Sequence, residues 1–256
     1  MTKIIAIANQ KGGVGKTTTA INLSAALCHL SRKVLLIDLD PQGNSSRGVG
    51  IDINLQKKTI YEVMQGKIAP KDAYKETIFD GLVLIPANLR LASLEVSLYE
   101  RHVDMPFFLL RNVLQTVRGD FDYVIIDCPP SLGLLSLNAL TASDSVIIPV
   151  QCEYFAMEAV AAILSSVSNV RQNYNEGLKI EGFLLTMYDA RTQLAAEISE
   201  QVRTLFRENT FFIAIPRNQS ISESQARSLP VTAFRPTSQG ATAYFALARE
   251  VIDHEA

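Results

Sequence analysis

The 256-residue chain is poor in cysteine and has no marked excess of charge of either sign. Its three cysteines, Cys28, Cys128 and Cys152, are far apart, and no C-x-x-C pair is present. A disulfide framework or a paired-cysteine metal site is therefore not indicated, and we expect a reducing, cytoplasmic environment. Twenty-four basic and 26 acidic side chains give a net charge of −2. Net charge alone would therefore not hold the protein to DNA or lipid.

Long apolar runs and a targeting segment are also absent from the sequence. The polar Thr2 and Lys3 follow Met1 directly, and no basic region leads into an apolar stretch, so no signal peptide is expected. No apolar run reaches the roughly 18 residues that a membrane-spanning helix requires. We expect a soluble protein that forms one domain over residues 1–256, a length sufficient for a substantial core.

The first two dozen residues combine an apolar strand, a glycine turn and a helix. The strand, residues 4–8, is typical of a parallel sheet, and the helix begins near Lys16. Gly12, Gly13 and Gly15 lie between them. Glycine allows conformations closed to other residues, so successive N–H groups can point at an anion near the helix N-terminus. The turn is therefore predicted to bind phosphate.

Two side chains of this turn suit a nucleotide. Lys16 can reach the β- and γ-phosphates, and the Thr17 hydroxyl can bind magnesium. The usual G-x-x-x-x-G-K-[ST] pattern is not met, since Gln10 stands five residues before Gly15. The loop instead reads K-G-G-V-G-K-T, with a second lysine, Lys11, at its head. An ordinary glycine-rich turn would match this register only by chance, so we favour a phosphate loop.

This stretch resembles the deviant Walker A motif of the ParA/MinD family of ATPases. The resemblance implies ATP and Mg²⁺ as ligands and a homodimer with ATP sandwiched between the subunits. In such a dimer Lys11 touches the partner's nucleotide and shares the catalytic role with Lys16; otherwise Lys11 would be a solvated loop charge. The predicted nucleotide contacts are Lys11, Gly12, Gly13, Val14, Gly15, Lys16, Thr17 and Thr18.

Strand-like apolar runs alternate with helix-like segments along almost the whole chain. This alternation predicts an α/β fold with a doubly wound, mostly parallel sheet flanked by helices, as in P-loop proteins. Further strands are predicted at residues 33–38, 82–85, 145–150 and 180–187 and in a run ending at Asp127. Helices are predicted at residues 60–65, 105–117, 157–174, 194–208 and 240–253.

Two aspartates end predicted strands at the sheet edge where ligands bind in open α/β folds. Asp38 ends the run K-V-L-L-I-D, and Asp127 ends F-D-Y-V-I-I-D before Pro129. An apolar strand, an aspartate and a turn follow Walker B logic, in which the carboxylate holds a magnesium-bound water. We therefore predict a magnesium site from Thr17, Asp38 and Asp127.

A third aspartate, Asp40, follows two residues after Asp38. It would point to the same side as Asp38 if the strand continued that far. In the ParA family the second aspartate of D-x-D-P positions or activates the attacking water, and the resemblance implies this catalytic role for Asp40. A turn in which the aspartate caps the backbone is the equally weighted alternative from the residues alone.

The segment Pro216-Arg217-Asn218 is only a loop by sequence physics. In the ParA family the P-R-N segment lies against the adenine, so the resemblance implies that Pro216 and Asn218 contact the base. Beyond Lys179 the chain has no lysine, and its positive charges are Arg191, Arg203, Arg207, Arg217, Arg227, Arg235 and Arg249. Arginine suits phosphate, but nine acidic residues share the region and solvated helix charges are an equal alternative.

Partitioning members of the family bind DNA without sequence preference as the ATP dimer. Arg191 matches one of their arginines, in the motif D-A-R, whereas Ser220 stands where P-R-N-V-R-L-S-E has its second arginine. Each lost phosphate contact weakens non-specific binding. We therefore expect weaker or differently placed DNA binding, with Arg191, Arg217 and Arg227 contributing.

The resemblance to ParA/Soj-type partitioning members extends from end to end. It implies a slow ATPase stimulated by a ParB-type partner, nucleoid-associated when ATP-bound. The first strand begins at residue three, so no N-terminal helix-turn-helix extension is expected. A MinD-like membrane-associated regulator is the alternative, although an acidic stretch at 249–255 would be repelled by anionic lipid. A metal-cluster carrier is disfavoured by the missing paired cysteines.

Overall fold

The computed structural model describes residues 2–100, 104–153 and 156–254. Within these ranges seven strands form one sheet with the order β3-β4-β2-β5-β1-β6-β7. The strands are Lys3–Ile7 (β1), Val34–Asp38 (β2), Lys75–Glu76 (β3), Leu82–Ile85 (β4), Tyr123–Asp127 (β5), Ser145–Gln151 (β6) and Lys179–Thr186 (β7). All neighbours pair in parallel except β3, which is antiparallel to β4.

Eleven α-helices lie in the described ranges. They are Lys16–His29 (α1), Asn44–Gly48 (α2), Ile60–Met64 (α3), Leu94–Glu100 (α4), Leu109–Gln115 (α5), Leu134–Ala142 (α6), Ala156–Asn173 (α7), Gln193–Leu205 (α8), Gln219–Gln225 (α9), Val231–Phe234 (α10) and Gln239–Asp253 (α11). Short 3₁₀ turns occur at Ile53–Leu55, Pro70–Ala73, Leu89–Ser93, Pro106–Phe108 and Arg207–Asn209. No helix of the described chain is long and apolar enough to span a bilayer.

Each face of the sheet packs against its own layer of helices. Successive residues of β1 alternate between the two layers, with Ile4 on one face and Ile5 on the other. The first layer includes α3 to α8, and the second is built mainly from α1 and α11. Two buried layers around parallel strands confirm the predicted doubly wound α/β fold.

Two predicted helices are shorter than expected. The helix predicted at 105–117 is a 3₁₀ turn at Pro106–Phe108 followed by α5, because Met105 has a φ of 53° and the chain bends there. The helix predicted at 194–208 ends at Leu205. The acidic stretch 249–255 ends outside the described residues; its residues 249–253 belong to α11, and His254 caps that helix.

Candidate active site

The phosphate loop joins β1 to α1 at the carboxyl edge of the sheet. Gly13 and Gly15 have φ angles of 76° and 90°, in the left-handed region that favours glycine. A Cβ atom added to Gly12 or Gly13 would meet nothing within 4 Å. Glycine at position 13 is therefore required by its backbone conformation rather than by crowding. The open space beside Gly12 and Gly13, at the N-terminus of α1, fits a phosphate chain.

The two lysines of the loop have different surroundings. Lys16 is 7% exposed, and its Nζ donates to the carbonyl of Lys11 at 3.0 Å. Burial lowers the pKa of Lys16, against the opposing effect of Asp127. The Nζ of Lys11 instead lies 3.5 Å from a carboxylate oxygen of Glu153, just beyond β6. The Lys16 ammonium group is therefore bonded within the phosphate loop, whereas the Lys11 ammonium group is paired with a residue outside the loop.

Asp38 and Asp127 lie side by side because β2 pairs with β5 in a register that places their Cα atoms opposite each other. The Asp38 carboxylate accepts hydrogen bonds from the N–H and hydroxyl of Ser46 at 2.8 and 2.7 Å. The Asp127 carboxylate accepts one from the Ser45 hydroxyl at 2.6 Å. Both acceptors thereby tie α2 to the strand ends.

One oxygen of this carboxylate pair lacks a partner. The Asp127 Oδ1 atom is buried and has no well-formed hydrogen bond among the described residues, although Thr17 is close enough to lower the pKa of that carboxyl. A magnesium-bound water at Thr17, Asp38 and Asp127 would satisfy this atom. The donor set therefore fits the predicted ion, and all three predicted ligands are together.

Burial raises the pKa of both carboxyls, to about 7 for Asp127 and about 6 for Asp38, and the two charges also oppose each other. The folded chain therefore binds these protons more tightly than the unfolded chain does. Their contribution to stability is complete below about pH 4 and is lost as the pH rises through 6 to 7.

We expect Asp127→Asn to raise the melting temperature of the metal-free, nucleotide-free protein at pH 8 by a few degrees and to change it little at pH 5. About 1 kcal/mol shifts a domain of this size by roughly 2–4 °C. The neutral amide mimics the protonated acid and can still accept from Ser45. Thermal unfolding of both proteins from pH 5 to 8 measures the difference, and a difference independent of pH would contradict the assigned shift.

The strand does not continue to Asp40, so the condition for placing Asp40 on the same side as Asp38 by strand alternation is not met. β2 ends at Asp38, whose Oδ1 accepts from the Asp40 N–H at 3.2 Å. The Asp40 Oδ1 in turn accepts from the Gln42 N–H at 2.9 Å. These side-chain bonds favour a tight turn over an extended chain. Asp40 is nevertheless only 8% exposed and close enough to influence Lys16.

A cleft of about 510 Å³ opens beside the phosphate loop. Gly15 and Thr18 of the loop and its helix line this cleft together with Pro216 and Asn218, the two residues predicted to contact a base. The Asn218 Oδ1 caps α9 by accepting from the Ser220 N–H at 3.1 Å, which leaves its amide N–H₂ group for the ligand. The volume and the mixed lining suit a nucleoside.

Sequence reasoning missed three residues of this cleft. Thr186 donates to the carbonyl of Val14 at 2.9 Å, and Gln225 donates to the Thr18 hydroxyl at 2.6 Å. Tyr244 of α11 also lines the cleft. Each belongs to an element far from the loop in sequence, and no local pattern marks it.

Two of the three arginines predicted to bind DNA, Arg191 and Arg217, lie on adjoining loops. The side chain of Arg191 is 87% exposed and donates two hydrogen bonds, of 2.8 and 2.7 Å, to the Asp189 carboxylate. These bonds lower the pKa of Asp189 to about 2. The Arg217 N–H donates to the carbonyl of Tyr188 at 3.0 Å, joining its loop to that of Arg191. Arg227 stacks over Phe234 at 4.8 Å.

A phosphate loop of this form at the carboxyl edge of a doubly wound sheet defines the class of P-loop ATPases, and its second lysine places it in the deviant Walker A branch. A family model described as an AAA domain matches residues 2–180. The sporulation initiation inhibitor Soj of Bacillus subtilis is 46% identical over 98% of both chains. The partitioning protein ParA of Caulobacter vibrioides is 44% identical over 99% of this chain and 95% of its own. This chain belongs to the ParA/Soj family.

Solved structures agree with this assignment at the level of fold and ligand. The cobyrinic acid a,c-diamide synthase of Mycobacterium smegmatis, with a bound ATP analogue and magnesium, superposes with a TM-score of 0.90. It is 39% identical to this chain and is matched over 100% of this chain and 96% of its own. A chain with this fold and this degree of similarity thus holds a nucleotide and magnesium.

Proposed function

We propose that this protein is a partitioning ATPase that binds ATP and magnesium at residues 11–18, dimerises around two nucleotides and then binds DNA without sequence preference. The observation that carries the proposal is the position of the glycine loop directly beside the buried pair Asp38 and Asp127. A polyphosphate and its cation need this combination of backbone donors, lysine and carboxylates.

Each site residue has a defined task in this proposal. Magnesium, when bound, neutralises charge on the β- and γ-phosphates. Lys16 leaves the Lys11 carbonyl to bind the same phosphates, and Thr17, Asp38 and Asp127 hold the ion and its water. Asp40 orients the attacking water from its turn. Pro216 and Asn218 hold the base in the cleft.

Dimerisation requires Lys11 to change partner. In the single chain it is paired with Glu153, whose side chain is about half exposed. Exposed ion pairs of this kind contribute little to stability, so breaking the pair between Lys11 and Glu153 costs little free energy. Lys11 can then touch the nucleotide of the second subunit and share in neutralising its charge. Slow hydrolysis, stimulated by a ParB-type partner, would release the dimer from the nucleoid into the cytoplasm.

Two other activities receive less support. The apolar face of α11, which includes Leu247 and Val251, is buried against α1 and the sheet, so it is not free to enter a bilayer as in a MinD-like regulator. Amide synthesis, named for the M. smegmatis relative, would need a nitrogen donor, and thiol-based glutamine hydrolysis uses a thiolate. Burial raises the pKa of all three cysteines here.

The proposal is tested by binding to a DNA duplex with ATP, with ADP and without nucleotide, at low and moderate salt. We expect binding with ATP only. Arg191→Ala should reduce the slope of log K against log salt by about 0.9 per subunit, or about 1.8 per dimer. Arg111→Ala is the matched control, since Arg111 is exposed and lies near Asp144 at the amino edge of the sheet.

Failure to bind duplex at any salt, with ATP still driving dimerisation, would contradict the DNA part of the proposal. Sedimentation with anionic liposomes would then test the membrane alternative. The nucleotide part would stand, because ATP binding and dimerisation are measured separately.

A further inference from the structure

A groove runs along the β7 edge of the sheet, between α8 and residues 210–212. This edge groove has a volume of about 660 Å³, and the side chains that matter here are Tyr188, Ser199, Arg203, Thr204, Arg207 and Phe212. Building on the proposed DNA binding, we infer that the edge groove is a second phosphate-binding surface for duplex DNA, continuous with the loops of Arg191 and Arg217.

Helix α8 presents two different faces. Ala195, Ile198 and Val202 are buried against the sheet. Ser199, Arg203 and Thr204 lie on the adjoining face, which opens into the edge groove. Arg207 continues this face just beyond the end of the helix. The face of α8 that lines the groove therefore carries cationic and hydroxyl groups. An apolar partner would instead require an apolar face.

The guanidinium of Arg203 is held in position by the backbone. It donates to the carbonyls of Phe211 at 3.1 Å and Phe212 at 3.0 Å. Neither Arg203 nor Arg207 forms an ion pair with a carboxylate of the described residues. One carboxylate, that of Glu200, lines the groove, so the lining keeps a net positive charge.

The edge groove opens onto the arginine loops already described. Tyr188 lines the groove, and its carbonyl accepts from the Arg217 N–H at 3.0 Å. Arg191 follows three residues later. Helix α8 has 13 residues and is therefore about 20 Å long, so a duplex lying along it would present several phosphates to the same surface.

This surface compensates for the residue at position 220. Ser220 is 8% exposed in the first turn of α9 and carries no charge. Arginines and hydroxyls at the β7 edge supply the phosphate contacts that this position lacks, and such contacts position a duplex without reading its sequence. The groove has one strongly exposed aromatic ring, Phe212, whereas single-strand sites use several rings for successive bases. Duplex DNA is therefore the favoured ligand.

The test measures binding of the ATP-bound protein to a 40-base-pair duplex and to a single strand of equal length across a range of salt concentrations. Arg207→Gln keeps the side-chain length but removes the charge. It should lower the salt slope by about 0.9 per subunit and weaken duplex binding, with ATP turnover and thermal unfolding unchanged. Arg111→Ala serves again as the control, and Phe212→Ala tests for the base stacking that a single strand would require.

Four outcomes decide the inference. A salt slope that is reduced in Arg207→Gln but not in Arg111→Ala supports the inference. An unchanged slope, with the natural protein still binding duplex in an ATP-dependent manner, overturns the edge groove but leaves the proposed function intact. Tighter binding to the single strand that is lost in Phe212→Ala would replace the duplex by an unpaired strand. Absence of any DNA binding by the natural protein overturns both proposals for DNA.

Discussion

Lys16→Ala should weaken ATP binding by about 100-fold or more, whereas Lys11→Ala should leave ATP binding to the single chain nearly unchanged. Lys16 lies inside the phosphate loop and is 7% exposed, so its ammonium group can be redirected to the phosphates with little rearrangement. Hydrogen bonds to charged groups contribute about 1.5–3 kcal/mol each, and two of them account for at least this factor. Calorimetric titration with Mg-ATP measures both affinities.

Lys16→Gln provides the control for packing, because it retains the length and a donor but not the charge. Unfolding of the nucleotide-free variants shows whether the fold survives removal of a buried cation close to Asp127. Mg-ATP should then raise the melting temperature of Lys11→Ala but not of Lys16→Ala, as mass action requires. Equal losses in both variants would mean that Lys11 also binds the phosphates of its own subunit.

The phosphate loop could be predicted from sequence because its determinants are local. Positive φ angles at Gly13 and Gly15 and the start of α1 at Lys16 depend on neighbouring residues only. The ends of β2 and β5 could also be predicted from sequence, because each strand is an apolar run that ends in an aspartate, Asp38 or Asp127. The order of the strands in the sheet places Asp38 opposite Asp127, and this order became evident only in the structure.

The remaining differences come from contacts between distant parts of the chain. The hydrogen bond from Gln225 to Thr18 joins residues 207 positions apart, and no periodic pattern marks it. Ser220 could be recognised as a departure from the family motif, but its burial depends on how α9 packs. Conversely, the pairing of Arg191 with Asp189 is local, yet sequence alone does not distinguish a paired guanidinium from a free one.

Asp40→Ala should slow ATP hydrolysis by about 100-fold or more while ATP binding remains close to that of the natural protein. A side chain that orients or deprotonates the attacking nucleophile typically contributes a factor of about 10²–10⁴. Asp40 is placed for this role because its turn brings it within electrostatic reach of Lys16. Single-turnover hydrolysis with Mg-ATP, beside equilibrium ATP binding, measures the two effects separately.

The structure also gives Asp40 a second role, and the choice of substitution separates the two. Its Oδ1 accepts from the Gln42 N–H, so alanine removes a turn contact together with the carboxylate. Asp40→Asn keeps an acceptor for that N–H and removes only the charge. Slow hydrolysis in both variants, with unchanged unfolding of Asp40→Asn, assigns the effect to chemistry at the water. If only Asp40→Ala hydrolyses ATP slowly, the effect comes from the lost turn contact. Normal hydrolysis in both variants would contradict the proposed role of Asp40 in orienting the water. If the first result holds, hydrolysis no longer ends the ATP state, so both variants should remain dimeric and DNA-bound longer than the natural protein.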